Sequence, residues 1–211
     1  MTGPLANWPV QDFLKRTGAR VPIIQAPMAG AGGVALAAAA IRGGAVGSLP
    51  CAMLTADQVR EQVAQVRAQS DGPLNLNFFC HTLGDPPDET GWRALLQPFY
   101  DKEGVGPPDT PPPLRTPFDE TTCAVVEAVR PEIVSFLFGV PEPALLERVR
   151  DFGALIVGNA TTPEEVSWLN GHVDLIVAQG FEAGGHADHF LDGHRPVGTM
   201  ALTRLAPLKI D

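Results

Sequence analysis

The amino-acid sequence predicts an α/β fold in which helices cover a parallel β-sheet. Six short apolar runs are predicted to be strands, and each is followed by a segment with helical spacing. Strands with near-continuous apolar residues are typical of parallel sheets, since helices bury both of their faces. Two architectures fit this alternation, a (β/α) barrel and an open doubly wound sheet. A complete barrel has eight units, so a chain with about six would form an incomplete one.

The first two predicted units lie in the N-terminal third of the chain. The strand at 23–26 is short and β-branched, and a proline follows it. The Ala-rich segment after it is compatible with a helix that ends at Gly43 and Gly44. A second strand is predicted at 45–49, and Thr55 is the expected N-cap of the next helix.

The third predicted strand carries two asparagines on one face. Residues 74–79 alternate in character, so Asn75 and Asn77 point to the same side of the sheet. The pattern then breaks, and we expect an insertion at about 80–117 that contains one helix at 90–100. Residues 1–211 have the length of one domain, and we expect a single domain that carries this insertion.

The alternation resumes after the insertion. Thr161 or Thr162 is the expected cap of a helix that begins Pro163-Glu164-Glu165, with proline at its first position and acids in its first turn. The remaining elements are a helix at 119–129, a strand at 133–138, a helix at 143–151, strands at 154–157 and 173–177, and a last helix that begins at Gly198 or Thr199 and ends near 205.

Composition and charge limit the class of protein. The net charge of −9 argues against nucleic acids and anionic membranes as partners. No uninterrupted apolar stretch is long enough for a membrane span, and no signal peptide is recognisable. Three cysteines without paired spacing, Cys51, Cys80 and Cys123, are expected to be free structural thiols. We therefore expect a cytoplasmic protein.

The most informative stretch is a glycine-rich turn directly after the predicted strand at 173–177. Glycines bring backbone N–H groups close to an anion, because no Cβ intervenes. Gln179 followed by Gly184 and Gly185 suits a cofactor with both a heteroaromatic ring and a phosphate; the alternative is a tight turn without a ligand. His186 adjoins the glycines and could act as an acid–base group or contact a phosphate.

Two other strand ends carry candidate ligand contacts. Ala26, Pro27 and Met28 could present backbone and a flat apolar surface to a planar ring, or could simply form a turn. Asn77, near the end of its strand, could hydrogen-bond a ring edge or be a satisfied buried amide. The histidines near His186 match no compact zinc pattern, so no metal site is expected.

Four runs of residues resemble the nitronate monooxygenases, formerly called 2-nitropropane dioxygenases. They are residues 22–30, 75–81, 134–139 and 178–186, in the family's order and spacing, and the resemblance extends over about 22–206. It implies a TIM barrel that binds FMN non-covalently and oxidises alkyl nitronates with O₂ to carbonyl compounds and nitrite. Related branches reduce quinones with NAD(P)H or act as enoyl-acyl-carrier-protein reductases.

The resemblance also implies which residues form the site. By this resemblance, Ala26, Pro27 and Met28 line the flavin. The amides of Asn77 and Gln179 hydrogen-bond the isoalloxazine ring or the ribityl chain, and Gly184 and Gly185 approach the phosphate. This cofactor-binding set is Ala26, Pro27, Met28, Asn77, Gln179, Gly180, Gly184 and Gly185.

This chain departs from the family in two respects. The proposed catalytic histidine near the flavin is replaced by Leu137, which cannot take a proton; His186 is the candidate substitute. The family also continues into a seventh and an eighth strand, whose loops hold most of the FMN phosphate. Three alternatives therefore stay open: a nitronate monooxygenase, an NAD(P)H-dependent flavin or quinone reductase, and an inactive truncated remnant. Assembly of the chain into a homo-oligomer is a further open alternative.

Overall fold

A computed structural model describes residues 11–85, 87–106, 115–193 and 195–205. The chain forms two compact units. The larger unit comprises Met1–His81 and Thr116–Asp211, and the smaller unit comprises Thr82–Arg115.

The larger unit contains one parallel sheet of five strands, and the strands lie in the sheet in their order along the chain. A doubly wound sheet reverses its strand order at a switch point, whereas a barrel adds each strand beside the previous one. The sequential strand order is therefore that of a (β/α) barrel and not that of a doubly wound sheet. The strands are β1 (Gly47–Pro50), β2 (Leu74–Phe79), β3 (Ile133–Leu137), β4 (Leu155–Ala160) and β5 (Leu175–Ala178).

Helices alternate with these strands as predicted, and several begin at the predicted caps. Thr55 accepts the N–H of Gln58, whose side chain accepts the N–H of Thr55 in return. Thr162, not Thr161, caps the helix that begins at Pro163. The helices are α1 (Gln11–Thr17), α2 (Val34–Gly43), α3 (Ala56–Gln69), α4 (Thr90–Glu103), α5 (Glu120–Val129), α6 (Pro143–Asp151), α7 (Pro163–Leu169) and α8 (Thr199–Leu205).

The prediction of a first strand at 23–26 was wrong. This segment forms only one bridge, between Ile24 and Val46, with hydrogen bonds of 2.9 Å on both sides. The prolines at 22 and 27 lack an N–H group, which leaves little backbone between them to pair with a neighbour. The six predicted strand–helix units are thus present, but the first strand is reduced to a bridge, and five strands remain.

The sheet has one helix-covered face and one polar face. The helix-covered face packs against α3 and α5 through side chains that are almost fully buried: Leu76, Phe78, Val134, Phe136 and Ile156 from the strands, and Val59, Val66 and Val126 from the helices. We call the opposite face the polar face because it carries, near the middle and carboxyl end of the strands, Ser48, Asn75, Asn77, Ser135 and Asn159.

Helix α1 covers the amino end of the polar face. Its Leu14 is buried with Val46, Ile133, Leu155 and Val157. The opposite, carboxyl end of the same face is where parallel β/α folds bind their ligands. The fold therefore closes one end of the polar face with an apolar core and leaves functional groups at the other.

The smaller unit consists mainly of α4. This helix has no buried residue and contains Pro98. Trp92 and Phe99 are mostly exposed within the described residues. None of the helices described is both long and apolar enough to cross a membrane.

Candidate functional site

Amide side chains bridge neighbouring strands on the polar face. Asn75 donates to Ser48 Oγ at 3.1 Å, and Asn77 donates to Ser135 Oγ at 2.9 Å and to its carbonyl oxygen at 3.3 Å. All four residues are buried. Asn75 Oδ1 has no hydrogen-bond partner among the described residues, and an unsatisfied buried oxygen of this kind requires a partner from outside the chain, such as water or a ligand.

The segment that contains Ala26, Pro27 and Met28 is joined to this row of polar groups. Gln25 Oε1 accepts the N–H of Ser48 at 2.9 Å, and its amide nitrogen donates to the carbonyl of Ala26. Ser48 in turn is the hydrogen-bond partner of Asn75. Ala26 and Met28 are at least partly exposed, so their surface is available next to the edge of β1.

A second amide pair orders the glycine-rich loop at the other side of the sheet. Asn159, on β4, donates to Gln179 Oε1 at 2.8 Å. Gln179 Nε2 donates to the carbonyl of His186 at 2.8 Å. The Gln179 amide is therefore oriented by one contact from the sheet and one from the loop that it precedes.

The three glycines of this loop meet different demands. A Cβ on Gly180 would lie 2.1 Å from the backbone nitrogen of Thr199, so the protein itself requires glycine there. Gly185 has a left-handed φ of +87°, which also favours glycine. Gly184 has neither constraint: its φ lies outside the left-handed region, and no atom of the described residues lies within 4 Å of the place that a Cβ would occupy.

The end of β3 carries an apolar residue where the family resemblance places a base. Leu137 is the last residue of β3 and pairs in register with Phe79 of β2. Phe138, which follows, has a left-handed φ of 63° that residues with a Cβ rarely adopt. The ring of His186 lies 5.7 Å from the ring of Phe79 and 6.3 Å from that of Phe138, edge to face in both cases. The structure thus brings Leu137 and His186 to the same aromatic cluster.

The buried carboxyl of Asp188 contacts the backbone of this cluster at Phe138. Asp188 is fully buried, and its Oδ1 accepts the N–H of Phe138. Its Oδ2 makes no hydrogen bond of ordinary geometry among the described residues, although the Asn159 side chain lies near enough to favour the charged form. Burial outweighs these contacts and raises the pKa of Asp188 to about 8, and the charge of Glu165 adds to the rise.

Glu165 anchors the same loop further along. This buried side chain of α7 accepts the N–H groups of Thr161 and Thr162 and the Thr161 hydroxyl through Oε2. Its Oε1 accepts the N–H groups of Phe190 and Leu191 at 2.7 and 3.3 Å. An acid that the sequence places in the first turn of α7 is therefore also a tertiary contact.

Comparison with known proteins agrees with this geometry. A family profile described as "Nitronate monooxygenase" matches residues 12–210. This chain belongs to the nitronate monooxygenase family. The predicted family, its class as an enzyme family and the barrel-type fold are thereby confirmed.

Individual relatives support the assignment to the nitronate monooxygenase family. A nitronate monooxygenase of Paraburkholderia phytofirmans is 40% identical over 203 residues, which is 92% of this chain and 55% of the relative. One from Pseudomonas aeruginosa is 38% identical over 200 residues, with 92% and 57% covered. The structure of nitroalkane oxidase from Streptomyces ansochromogenes matches with a TM-score of 0.78 and 29% identity, over 92% of this chain and 57% of that one. The chain spans a little over half the length of these relatives.

Three residues beside the candidate site of this family member were not predicted from the sequence to have a part in it: Asn159, Glu165 and Asp188. The sequence does contain a pattern that could have identified Asn159. It is a polar residue at the end of an apolar strand, which is the same pattern that identified Asn77. Asp188 had no such pattern, because an aspartate in a polar loop is ordinarily solvated. Its role depends on the loop folding back over β3.

The cysteines of this family member are not poised as nucleophiles. All three are free thiols. Burial raises the pKa of Cys51 to about 12, and burial together with the charge of Asp188 also raises the pKa of Cys80. A thiol with a raised pKa remains protonated and unreactive at neutral pH.

Proposed function

We propose that this chain contributes to the site of an FMN-dependent oxidoreductase that oxidises alkyl nitronates with O₂ to carbonyl compounds and nitrite. The observation that carries this proposal is the arrangement at the carboxyl end of the sheet. There, the Gln179 amide precedes a glycine, Gly184, that no neighbour among the described residues requires. Membership of the nitronate monooxygenase family supplies the reaction class.

The residues present fit FMN. Open space at Gly184 and the left-handed Gly185 leave a backbone surface that a phosphate or ribityl group can approach closely. The orphaned oxygen of Asn75 and the amides of Asn77 and Gln179 are polar groups suited to a ring edge or a ribityl chain. Gly180, in the same predicted set, would act through backbone placement, since its lack of a side chain is already required by Thr199.

The apolar part of the proposed site comes from the segment after the bridge. Ala26, Pro27 and Met28 would lie against the flat face of the flavin, where the exposed Met28 offers apolar, polarizable surface. Bound FMN would supply the electron transfer between nitronate and O₂. The protein residues would hold the cofactor and substrate in place and exclude water around the aromatic cluster.

The absence of a base at Leu137 bears on the substrate. Because leucine cannot remove a proton, the chain is suited to nitronates, which are already deprotonated, rather than to neutral nitroalkanes. His186, whose ring contacts Phe79 and Phe138, is the residue we propose for any remaining acid–base step.

Leu137 also favours a second candidate function, an NAD(P)H-dependent flavin or quinone reductase. Hydride transfer to a flavin needs no base at this position. A protein without catalytic activity is the third candidate, since leucine at position 137 cannot act as a base. A cytoplasmic location and a homo-oligomeric state remain predictions.

The decisive experiment is a visible absorption spectrum of the purified 211-residue chain after excess FMN has been added and unbound FMN removed. Retained flavin bands, followed by O₂ uptake and nitrite release with an alkyl nitronate, are expected. Retained flavin with turnover only of NADH and a quinone would favour the reductase. Absence of retained flavin would overturn both enzyme proposals for this chain.

A further inference from the structure

Asp188 is buried in a segment whose neighbours are exposed. The side chains on either side of it, from Phe181 to His189, lie at the surface. No ion pair to Asp188 is formed by the residues that the structure describes. A carboxyl without a cation is costly to bury, so its place inside needs a compensating role.

Its hydrogen bond to Phe138 provides that role. Phe138 has a left-handed backbone directly after β3, a conformation that costs free energy for a residue with a Cβ. Asp188 Oδ1 accepts the Phe138 N–H from 50 residues further along the chain. The carboxyl therefore joins the turn after β3 to the loop after β5.

A second set of contacts leads from Asp188 to the predicted cofactor residue Gln179. The Asn159 side chain lies near the Asp188 carboxyl, although no hydrogen bond of ordinary geometry joins the two. Asn159 also donates to Gln179, and Gln179 donates to the carbonyl of His186, two residues before Asp188. The Gln179 amide is therefore held between β4 and the loop that Asp188 anchors, so its orientation depends on the position of that loop.

We propose that Asp188 is a positioning residue whose buried carboxyl holds the loop after β5 on the end of β3 and, through the His186 carbonyl of that loop, sets the orientation of the Gln179 amide. The statement about Gln179 rests on the proposed function; the statement about the loop does not. Neither part requires Asp188 to touch a substrate.

The surroundings of Asp188 make this anchor sensitive to pH. The titratable groups whose charge acts on it or on which it acts are Cys80, directly after β2, and Glu165 from α7, while His186 and His189 are exposed neighbours in its own loop. Burial and the charge of Glu165 raise the pKa of Asp188 to about 8. At neutral pH the carboxyl keeps its proton and stays inside; at higher pH its charge favours hydration, and the loop is released.

Hydrogen exchange of the unliganded 211-residue chain tests the anchor without any cofactor. Peptides that contain Phe138 and residues 186–191 are followed at about pH 6 and about pH 9, on either side of the Asp188 pKa, with labelling times scaled for intrinsic exchange. Asp188→Asn keeps the shape and cannot ionise, Asp188→Ala removes the anchor, and Asp192→Asn, an exposed site in the same loop, is the control.

The expected pattern differs for each variant. The native chain and Asp192→Asn are protected at the lower pH and exchange at least about tenfold faster at the higher pH. Asp188→Asn is protected at both, and Asp188→Ala exchanges about tenfold faster at both. Equal protection of Asp188→Ala and the native chain overturns the anchor. So does the same pH response in the native chain and Asp188→Asn.

FMN affinity, measured by equilibrium dialysis, tests the link to Gln179. Asp188→Ala is expected to bind FMN about tenfold more weakly, and Asp188→Asn within about twofold of the native chain. If the native chain binds no FMN, the proposed function fails while hydrogen exchange still decides the anchor. If the native chain and Asp188→Ala bind FMN equally, the link to Gln179 is overturned.

Discussion

Glu165 accepts the backbone N–H of Phe190 at 2.7 Å across 25 residues of chain. The same carboxylate completes the capping box of α7 with Thr162. One side chain therefore starts a helix and also fixes the loop that follows β5. This double use explains why a glutamate is fully buried at the carboxyl end of the sheet.

Replacing Glu165 with alanine should strongly destabilise the larger unit. The change leaves several buried N–H groups without an acceptor, so the free energy of unfolding should fall by about 3 kcal/mol or more. Glu165→Gln keeps the shape and one acceptor and should lose less. Urea unfolding measures both, with the exposed Glu61→Ala as the control. A loss below about 1 kcal/mol for Glu165→Ala would contradict the role assigned to its hydrogen bonds.

Replacement by alanine should destabilise the unliganded chain at Gly180 and leave its stability nearly unchanged at Gly184. Gly180→Ala places a methyl group against the backbone of Thr199 and should cost about 2–3 kcal/mol of stability. Gly184→Ala meets no atom of the residues described and should change the stability of the unliganded chain by less than about 1 kcal/mol.

FMN binding should separate the two glycines further. If FMN approaches the backbone at Gly184, a methyl group there should weaken FMN binding by about tenfold or more while the fold stays intact. Thermal unfolding without ligand and FMN titration are the two measurements. Unchanged FMN affinity in Gly184→Ala would remove Gly184 from the proposed cofactor site.

Asp188 should make stability fall as pH rises. Its pKa is about 8 in the folded chain and near the ordinary aspartate value, about 3.9, when unfolded. Between these values unfolding releases a proton, so the Asp188 contribution to the free energy of unfolding decreases with pH, by at most about 1.4 kcal/mol per pH unit, and is level above about pH 8.

The Asp188→Asn variant isolates this contribution. Its stability relative to the native chain should increase from about pH 4 to about pH 8 and then remain constant. Urea unfolding at a series of pH values gives the difference directly, with Asp192→Asn as the control for a change of charge in the same loop. A difference that does not vary with pH would show that Asp188 titrates normally in the folded chain.

Leu137→His should add the missing proton acceptor at the end of β3. If FMN binds as proposed, the variant should oxidise a neutral nitroalkane at least about tenfold faster than the native chain, with a smaller change for the preformed nitronate, because general-base catalysis contributes about a hundredfold or more. Leu137→Met, which fills similar space without a base, is the control. Equal gains in both variants would indicate an effect of packing.

The elements of the fold were predictable because their signals are local. Thr55, Asp119 and Thr162 mark helix starts through capping contacts within four residues. The strand β2 was predicted with its observed bounds, since its alternation places Asn75 and Asn77 on one face. The prediction of a strand at 23–26 failed because the length of a strand depends on how much backbone can pair with a neighbouring strand. The prolines on both sides of this segment shorten the backbone that can pair.

The sequence by itself determined the order of strands and helices, the placement of Asn75 and Asn77 on one face of β2 and the family, because each is written in short-range patterns or in motifs. Only the tertiary structure decided which loop residues support the site. Asp188 meets Phe138 across 50 residues, and Gly180 must be glycine because Thr199 packs against it. Such contacts arise when distant loops meet at one end of the sheet, and no local pattern along the chain encodes their meeting.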